Sequence, residues 1–212
     1  MSIDLLQYLD YIEKSEIPPD FPHGLTSGGW SYFEAQYDLM TCLKARKDCC
    51  AKGLWIVIDK KWTNKLAKYI KNRKCLEIMA GGGWLTKALL EHGVDIVATD
   101  DFSWTEGKSP HCNMRPVTEV EKLDAVEAVN KYRDRDILVV SWPHSSFDNV
   151  LCKACESWGK EKPIIYIGEG EEGCCAGRDF WQYFKTLKIK FPMKSWDGLH
   201  DYVFIGNYVK IC

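Results

Sequence analysis

Residues 75–101 read CLEIMAGGGWLTKALLEHGVDIVATDD, with Glu77 four residues before Gly81 and Asp100 nineteen residues after it. Three consecutive glycines, Gly81, Gly82 and Gly83, let the main chain turn sharply and let a ligand lie against it without obstruction from Cβ atoms. Two types of cofactor use such a turn, dinucleotides and S-adenosylmethionine. The dinucleotide fingerprint needs a third small residue at position 86, where this chain has Thr86. Charge discriminates further: a carboxylate repels a pyrophosphate but attracts a ligand that carries a sulfonium and an ammonium. Glu77 therefore disfavours a nicotinamide-dependent dehydrogenase, and Asp100 stands where an acid accepts both hydroxyls of a ribose.

A second group of residues is suited to hold an acceptor. DILVVSWPHSSF (136–147) is an apolar run that ends in Ser141, Trp142, Pro143 and His144, and its end should lie beside the glycine turn. His144 offers an imidazole that exchanges its proton near neutral pH, as a general base would; it also reads as a loop histidine that only packs or bonds to backbone. Farther on, GEGEEGCCAGRDF puts Glu169, Glu171 and Glu172 on the same rim. An acidic, glycine-rich loop suits a cationic or amine-bearing substrate and repels a phosphate backbone, so Glu169 and Glu171 are candidate substrate contacts and nucleic acid is disfavoured. Trp30, Tyr32, Trp62 and Trp104 fit a substrate lid or a core.

The elements that must position these groups follow from periodicity. Short apolar runs at 75–79, 95–99, roughly 117–121, 136–141 and 163–168 alternate with helical patterns near 84–92, 123–132 and 148–158. That rhythm builds a doubly wound, mostly parallel sheet. After a further helix, RDFWQYF, the runs LKIKFPM and YVFIGNYVKI have no helix-sized segment between them, which predicts an antiparallel C-terminal pair. Before the sheet, helices are predicted over 3–14, from Ser31 to about Arg46 (Phe33, Tyr37, Met40 and Leu43 at helical spacing) and over Thr63–Asn72. The intervening WIVID (55–59) is too short to assign.

Composition bounds the class. A chain of 212 residues with 46% hydrophobic and 27% charged residues is long enough to bury one full core. Its formal net charge of −2 supplies no field to gather polyanions, and the lysines from Lys65 to Lys74 read as a solvated helix face. The N-terminal stretch MSIDLLQYLDYIEK has no basic leader and no run spans a bilayer, so a cytoplasmic protein without membrane contact is expected. Of the ten cysteines only Cys152 and Cys155 form a CxxC, so plain thiols are expected rather than disulfides or a metal site. The oligomeric state is left open.

Through LEIMAGGGWLTKALLEHGVDIVATD and the strand order that follows, over roughly residues 70–210, the sequence resembles the class I S-adenosylmethionine-dependent methyltransferases. The resemblance implies a Rossmann-like α/β sheet over 70–212 and a helical cap or lid over 1–69. It implies that Glu77 and the turn of Met79, Ala80, Gly81, Gly82 and Gly83 hold the methionine portion of the cofactor, that Asp100 grips the ribose, and that Asp101 and Phe102 flank the adenosine. Met79 departs from the family's first glycine and narrows the pocket. Asp124, between Leu123 and Ala125, is placed to receive the adenine amine; it reads equally as an acid that starts a helix. Amino-group methyltransferases carry a motif of a polar residue, two prolines and an aromatic, which SWPH matches in Ser141, Pro143 and the planar His144 but not in Trp142. The expected function is methyl transfer to a small-molecule or amine-bearing acceptor. Nucleobase or protein amino groups, oxygen or sulfur acceptors, and a binding module without turnover are the alternatives.

Overall fold

The computed structural model describes residues 3–22, 37–105, 114–187, 191, 193–196 and 198–210. Among these, seven strands form one sheet: β1 Cys75–Ile78, β2 Ile96–Asp100, β3 Glu121–Lys122, β4 Ile137–Ser141, β5 Ile164–Gly168, β6 Phe184–Leu187 and β7 Tyr202–Tyr208, in the order β3-β2-β1-β4-β5-β7-β6. The pairs from β3 to β5 are parallel, and β7 runs antiparallel to both β5 and β6. The strand order reverses between β1 and β4, so the ends of those two strands open a crevice where the glycine turn and SWPH meet.

Helices cover both faces, which is why β1, β4 and β5 are buried almost throughout rather than alternating with solvent. Alternation instead divides the side chains between two cores. Cys75, Ile96, Ile137, Val139, Ile165 and Ile167 pack toward α1 (Leu5–Glu13), α2 (Leu39–Ala51), α3 (Lys60–Ile70) and α4 (Trp84–Glu91). Leu76, Ile78, Leu138, Val140, Ile164 and Tyr166 pack toward α5 (Ala125–Lys131), α6 (Asp148–Trp158) and α7 (Arg178–Tyr183). Glu77 shares the first face with Cys75, two residues earlier in β1, and there meets Thr86 of α4. None of the helices described is long and apolar enough to cross a membrane.

Caps explain where the structure departs from the predicted boundaries. Asp59 accepts from the Lys61 and Trp62 amides at 2.8 and 2.9 Å, so α3 starts three residues before Thr63. It buries Trp62, Leu66 and Ile70 at four-residue spacing, each contributing about 1.5–3 kcal/mol of apolar burial; Leu66→Ala would cost about 2–5 kcal/mol. Asp38 caps α2, which therefore runs later than predicted and buries Cys42, Ala45 and Cys49, leaving Met40 and Leu43 exposed. Residues 31–36 of that prediction lie outside the described residues. β3 is shorter than predicted and lies at 121–122, on the sheet edge. β6 begins at Phe184, directly after α7, because Phe184 pairs with Tyr208.

Candidate active site

One cavity of about 410 Å³ runs along the carboxyl ends of β1, β2 and β4. It gathers Glu77, Met79, Ala80, Gly81, Asp100, Asp101, Leu123, Asp124 and Ala125 at one end with Ser141, Trp142, Pro143 and His144 at the other. Gly82, Gly83, Phe102, Glu169 and Glu171 do not line it.

The turn explains the first two omissions. Gly81 (φ +55°) and Gly83 (φ +74°) take left-handed backbone, but only Gly81 presents its bare side to the cavity: a Cβ there would have Trp55 Nε1 as its nearest neighbour at 4.0 Å. A Cβ on Gly83 would instead lie 2.8 Å from methyl groups of Thr118 and Val120. Gly82 would meet Trp84 and Met114. These two glycines shape the turn from behind. Met79 also has positive φ (54°), the conformation glycine adopts freely, at a cost of about 1 kcal/mol.

Glu77 is 1% exposed, and Thr86 donates its hydroxyl to it. Burial pushes its carboxyl up to about 7, with a smaller contribution from the charge of Asp100. Asp100 closes β2 and already accepts three bonds: from Gly81 N at 2.7 Å, Phe102 N at 2.7 Å and Trp104 Nε1 at 2.9 Å. Burial raises its pKa in spite of them. The neighbouring Asp101 is exposed and accepts from Ser103 N. Asp124 caps α5 through Oδ1 to Val126 N at 2.8 Å, as a helix-starting acid does, and it also lines the cavity.

At the other end, β4 leads into a short 3-10 turn (Ser145–Phe147) and then α6. His144 caps that turn: Ser146 N donates to its Nδ1 at 3.2 Å, and the Ser146 hydroxyl lies 2.7 Å from the same nitrogen. The neutral ring therefore carries its proton on Nε2. Trp142 has φ 50° and donates Nε1–H to Asp201 Oδ1 at 2.7 Å, and its ring lies parallel to that of Trp55.

The acidic loop differs from the reading given by its sequence. Glu169 is buried and accepts from Cys174 N, the Cys174 thiol and His200 N, so its carboxylate closes the 169–174 loop onto the segment before β7. Although burial works the other way, these donors hold its carboxyl below the usual range. Glu171 is exposed and away from the cavity. Both are corrections to the expected substrate contacts. Of the expected lid aromatics, Trp104 lines the cavity, Trp62 is core, and Trp30 and Tyr32 lie outside the described residues. Sequence reasoning did not identify Gly53–Ile56, Trp84, Phe147 and Cys174 as wall. Only Gly53 beside Trp55, an aromatic in a run with no clear period, hinted at the first of these. Among the described residues no cluster of three or more metal-ligating side chains occurs.

A reversed doubly wound sheet of this order, with a glycine turn and an acid closing β2, has the fold of the class I S-adenosylmethionine-dependent methyltransferases. A mutant of MtNAS in complex with S-adenosylmethionine superposes with a TM-score of 0.50 and 13% identity over 97% of this chain and 72% of its own. MtNAS in complex with MTA and tNA matches 69% of this chain and 58% of its own (TM-score 0.46, 14% identity). The trans-methyltransferase CalH in complex with SAH matches 79% and 62% (TM-score 0.43, 12% identity). The chain thus spans less than two thirds of the length of these last two proteins. No protein-family model and no curated protein matches the sequence.

Proposed function

We propose that this protein is a cytosolic S-adenosylmethionine-dependent methyltransferase acting on a small, amine-bearing acceptor. The observation that carries the proposal is the cavity itself. It joins Glu77, Asp100 and Asp124 to the SWPH segment, and among the described residues its lining has four carboxylates but no lysine or arginine. Such a lining favours a ligand with a sulfonium and an ammonium and opposes a pyrophosphate. The chain's residues fit that cofactor. Gly81 leaves room for it against the main chain, Glu77 faces its cationic end, and Asp124 keeps a second carboxylate oxygen for the adenine amine. At the first turn of α4 Gly83 supplies no capping side chain and Glu77 takes the Thr86 amide, which leaves the Trp84 and Leu85 amides as donors for the carboxylate of the amino acid portion.

When bound, the cofactor supplies an electrophilic methyl group on sulfur. The chain's part is to hold a nucleophile in line with it, with Ser141 orienting the acceptor and Pro143 and Trp142 shaping its approach. His144 then acts through Nε2–H as a donor, since its Nδ1 accepts from Ser146. An uncharged amine needs no base before transfer, because its lone pair attacks and the extra proton leaves to water afterwards. An alcohol would need deprotonation that this tautomer does not supply, and this favours nitrogen over oxygen as acceptor. In this reading residues 1–69 form the cover, with Gly53–Ile56 contributing one wall, and residues 70–212 carry the cofactor. Isothermal titration of S-adenosylmethionine and S-adenosylhomocysteine into the protein tests the proposal; no binding of either would refute it.

A further inference from the structure

We infer that Trp142 and Trp55 form an acceptor platform for a planar aromatic compound, uncharged or cationic, and that Asp201 is a positioning residue that holds Trp142 in place. The inference rests on the proposed methyltransferase reading and specifies its substrate class. The two rings are parallel to within 9° with centroids 6.4 Å apart, which is an offset-stacked pair, and both line the cavity. Trp55 Nε1 lies against the open side of Gly81, so this aromatic wall begins where the bare main chain ends. Phe147 and Cys174 extend the lining beside SWPH, and among the described residues no lysine or arginine lines it to neutralise an acceptor anion.

The chain commits unusual structure to the orientation of Trp142. Its backbone is left-handed at φ 50°, and its amide is tied to Ile167 O at 2.8 Å. Its indole N–H ends on Asp201, a carboxylate only 3% exposed whose Oδ2 has no hydrogen-bond partner among the described residues. Asp201 is set in turn by Ser195, whose hydroxyl accepts from Asp201 N at 2.8 Å. A half-satisfied buried carboxylate opposes folding. Fixing one indole plane at the cavity wall accounts for its presence. Arg46 lies over the same ring, 5.7 Å from its centroid, and is not part of the lining.

The test is calorimetry of three probes of one size, with and without S-adenosylhomocysteine: 4-aminoquinoline, its saturated analogue 4-aminodecahydroquinoline, and quinoline-4-carboxylate. The platform predicts that the planar amine binds roughly tenfold more tightly than either of the others. Trp142→Ala should abolish that preference and Trp142→Phe should keep most of it. Asp201→Ala should lose it, while Asp201→Asn, whose amide oxygen still accepts from the indole, should restore it. Equal affinities for planar and saturated amines would overturn the platform whatever the cofactor does. Full preference in folded Asp201→Ala would overturn the positioning role, and if that variant does not fold, loss of preference in Asp201→Asn would do so. Failure of S-adenosylhomocysteine to bind is read separately and counts against the cofactor reading.

Discussion

Replacing Glu77 with glutamine should make the ligand-free protein more stable and the loaded one harder to form. Glu77 is 1% exposed, and burial pushes its carboxyl from 4.5 up to about 7. The folded state therefore holds the proton more tightly than the unfolded chain. The stability this contributes is complete below pH 4.5 and is lost as pH rises through 7. At about 1.4 kcal/mol per pH unit between the two values, the ionised group opposes folding by about 3 kcal/mol at pH 8. The glutamine side chain would keep an acceptor for the Thr86 hydroxyl but does not ionise. Glu77→Gln should thus exceed wild type by about 3 kcal/mol at pH 8, narrowing to about 1 kcal/mol at pH 5.5. Other titrating groups largely cancel in that difference. Urea unfolding of both proteins at the two pH values measures it; in melting temperature, about 3 kcal/mol corresponds to roughly 6–12 °C for a chain of this size. S-adenosylmethionine should bind the variant at least tenfold more weakly, because in the proposed binding mode the lost carboxylate faces its cationic end. A variant no more stable than wild type at pH 8, or a gain that does not shrink at pH 5.5, would refute the reasoning.

Two further outcomes follow from the turn and its acid. Asp100 accepts three bonds of the four or so its oxygens can take, so accepting both ribose hydroxyls requires one donor to leave, and Trp104 is the side chain among them. Cofactor binding should change Trp104 fluorescence; Trp104→Phe should remove that change and tighten binding about fivefold, the equivalent of one net hydrogen bond of about 1 kcal/mol, and an unchanged signal in Trp104→Phe would contradict it. The two left-handed glycines should separate stability from binding. Gly83→Ala places a Cβ 2.8 Å from Thr118 and Val120 and should cost about 2–4 kcal/mol from backbone strain and overpacking. Gly81→Ala, whose Cβ meets only open cavity, should cost about 1 kcal/mol by unfolding yet abolish S-adenosylhomocysteine binding by calorimetry.

Local spacing was enough to bring one end of the cavity together. Parallel strands all end on one edge, so Glu77, Gly81, Asp100, Asp124 and Ser141, each at or just past a strand end, had to converge once the alternating rhythm was read. The antiparallel β7 was legible for a similar reason, since the link before it is too short for a helical crossover. Boundaries were less legible where a cap outweighed periodicity, as Asp38 does at α2 and Asp59 at α3.

The aromatic wall of the cavity was decided by tertiary structure. Trp55, Trp142 and Asp201 come from a period-free run, a strand end and a loop before β7, and nothing in their spacing requires them to meet. Glu169 shows the same limit from the other side. Its acidic, glycine-rich setting reads as a substrate rim, but packing spends both oxygens on Cys174 and His200. Sequence determines which groups a repeating backbone must bring to one edge; whether a given carboxylate faces a ligand or a neighbouring loop depends on donors from distant segments, which only packing supplies.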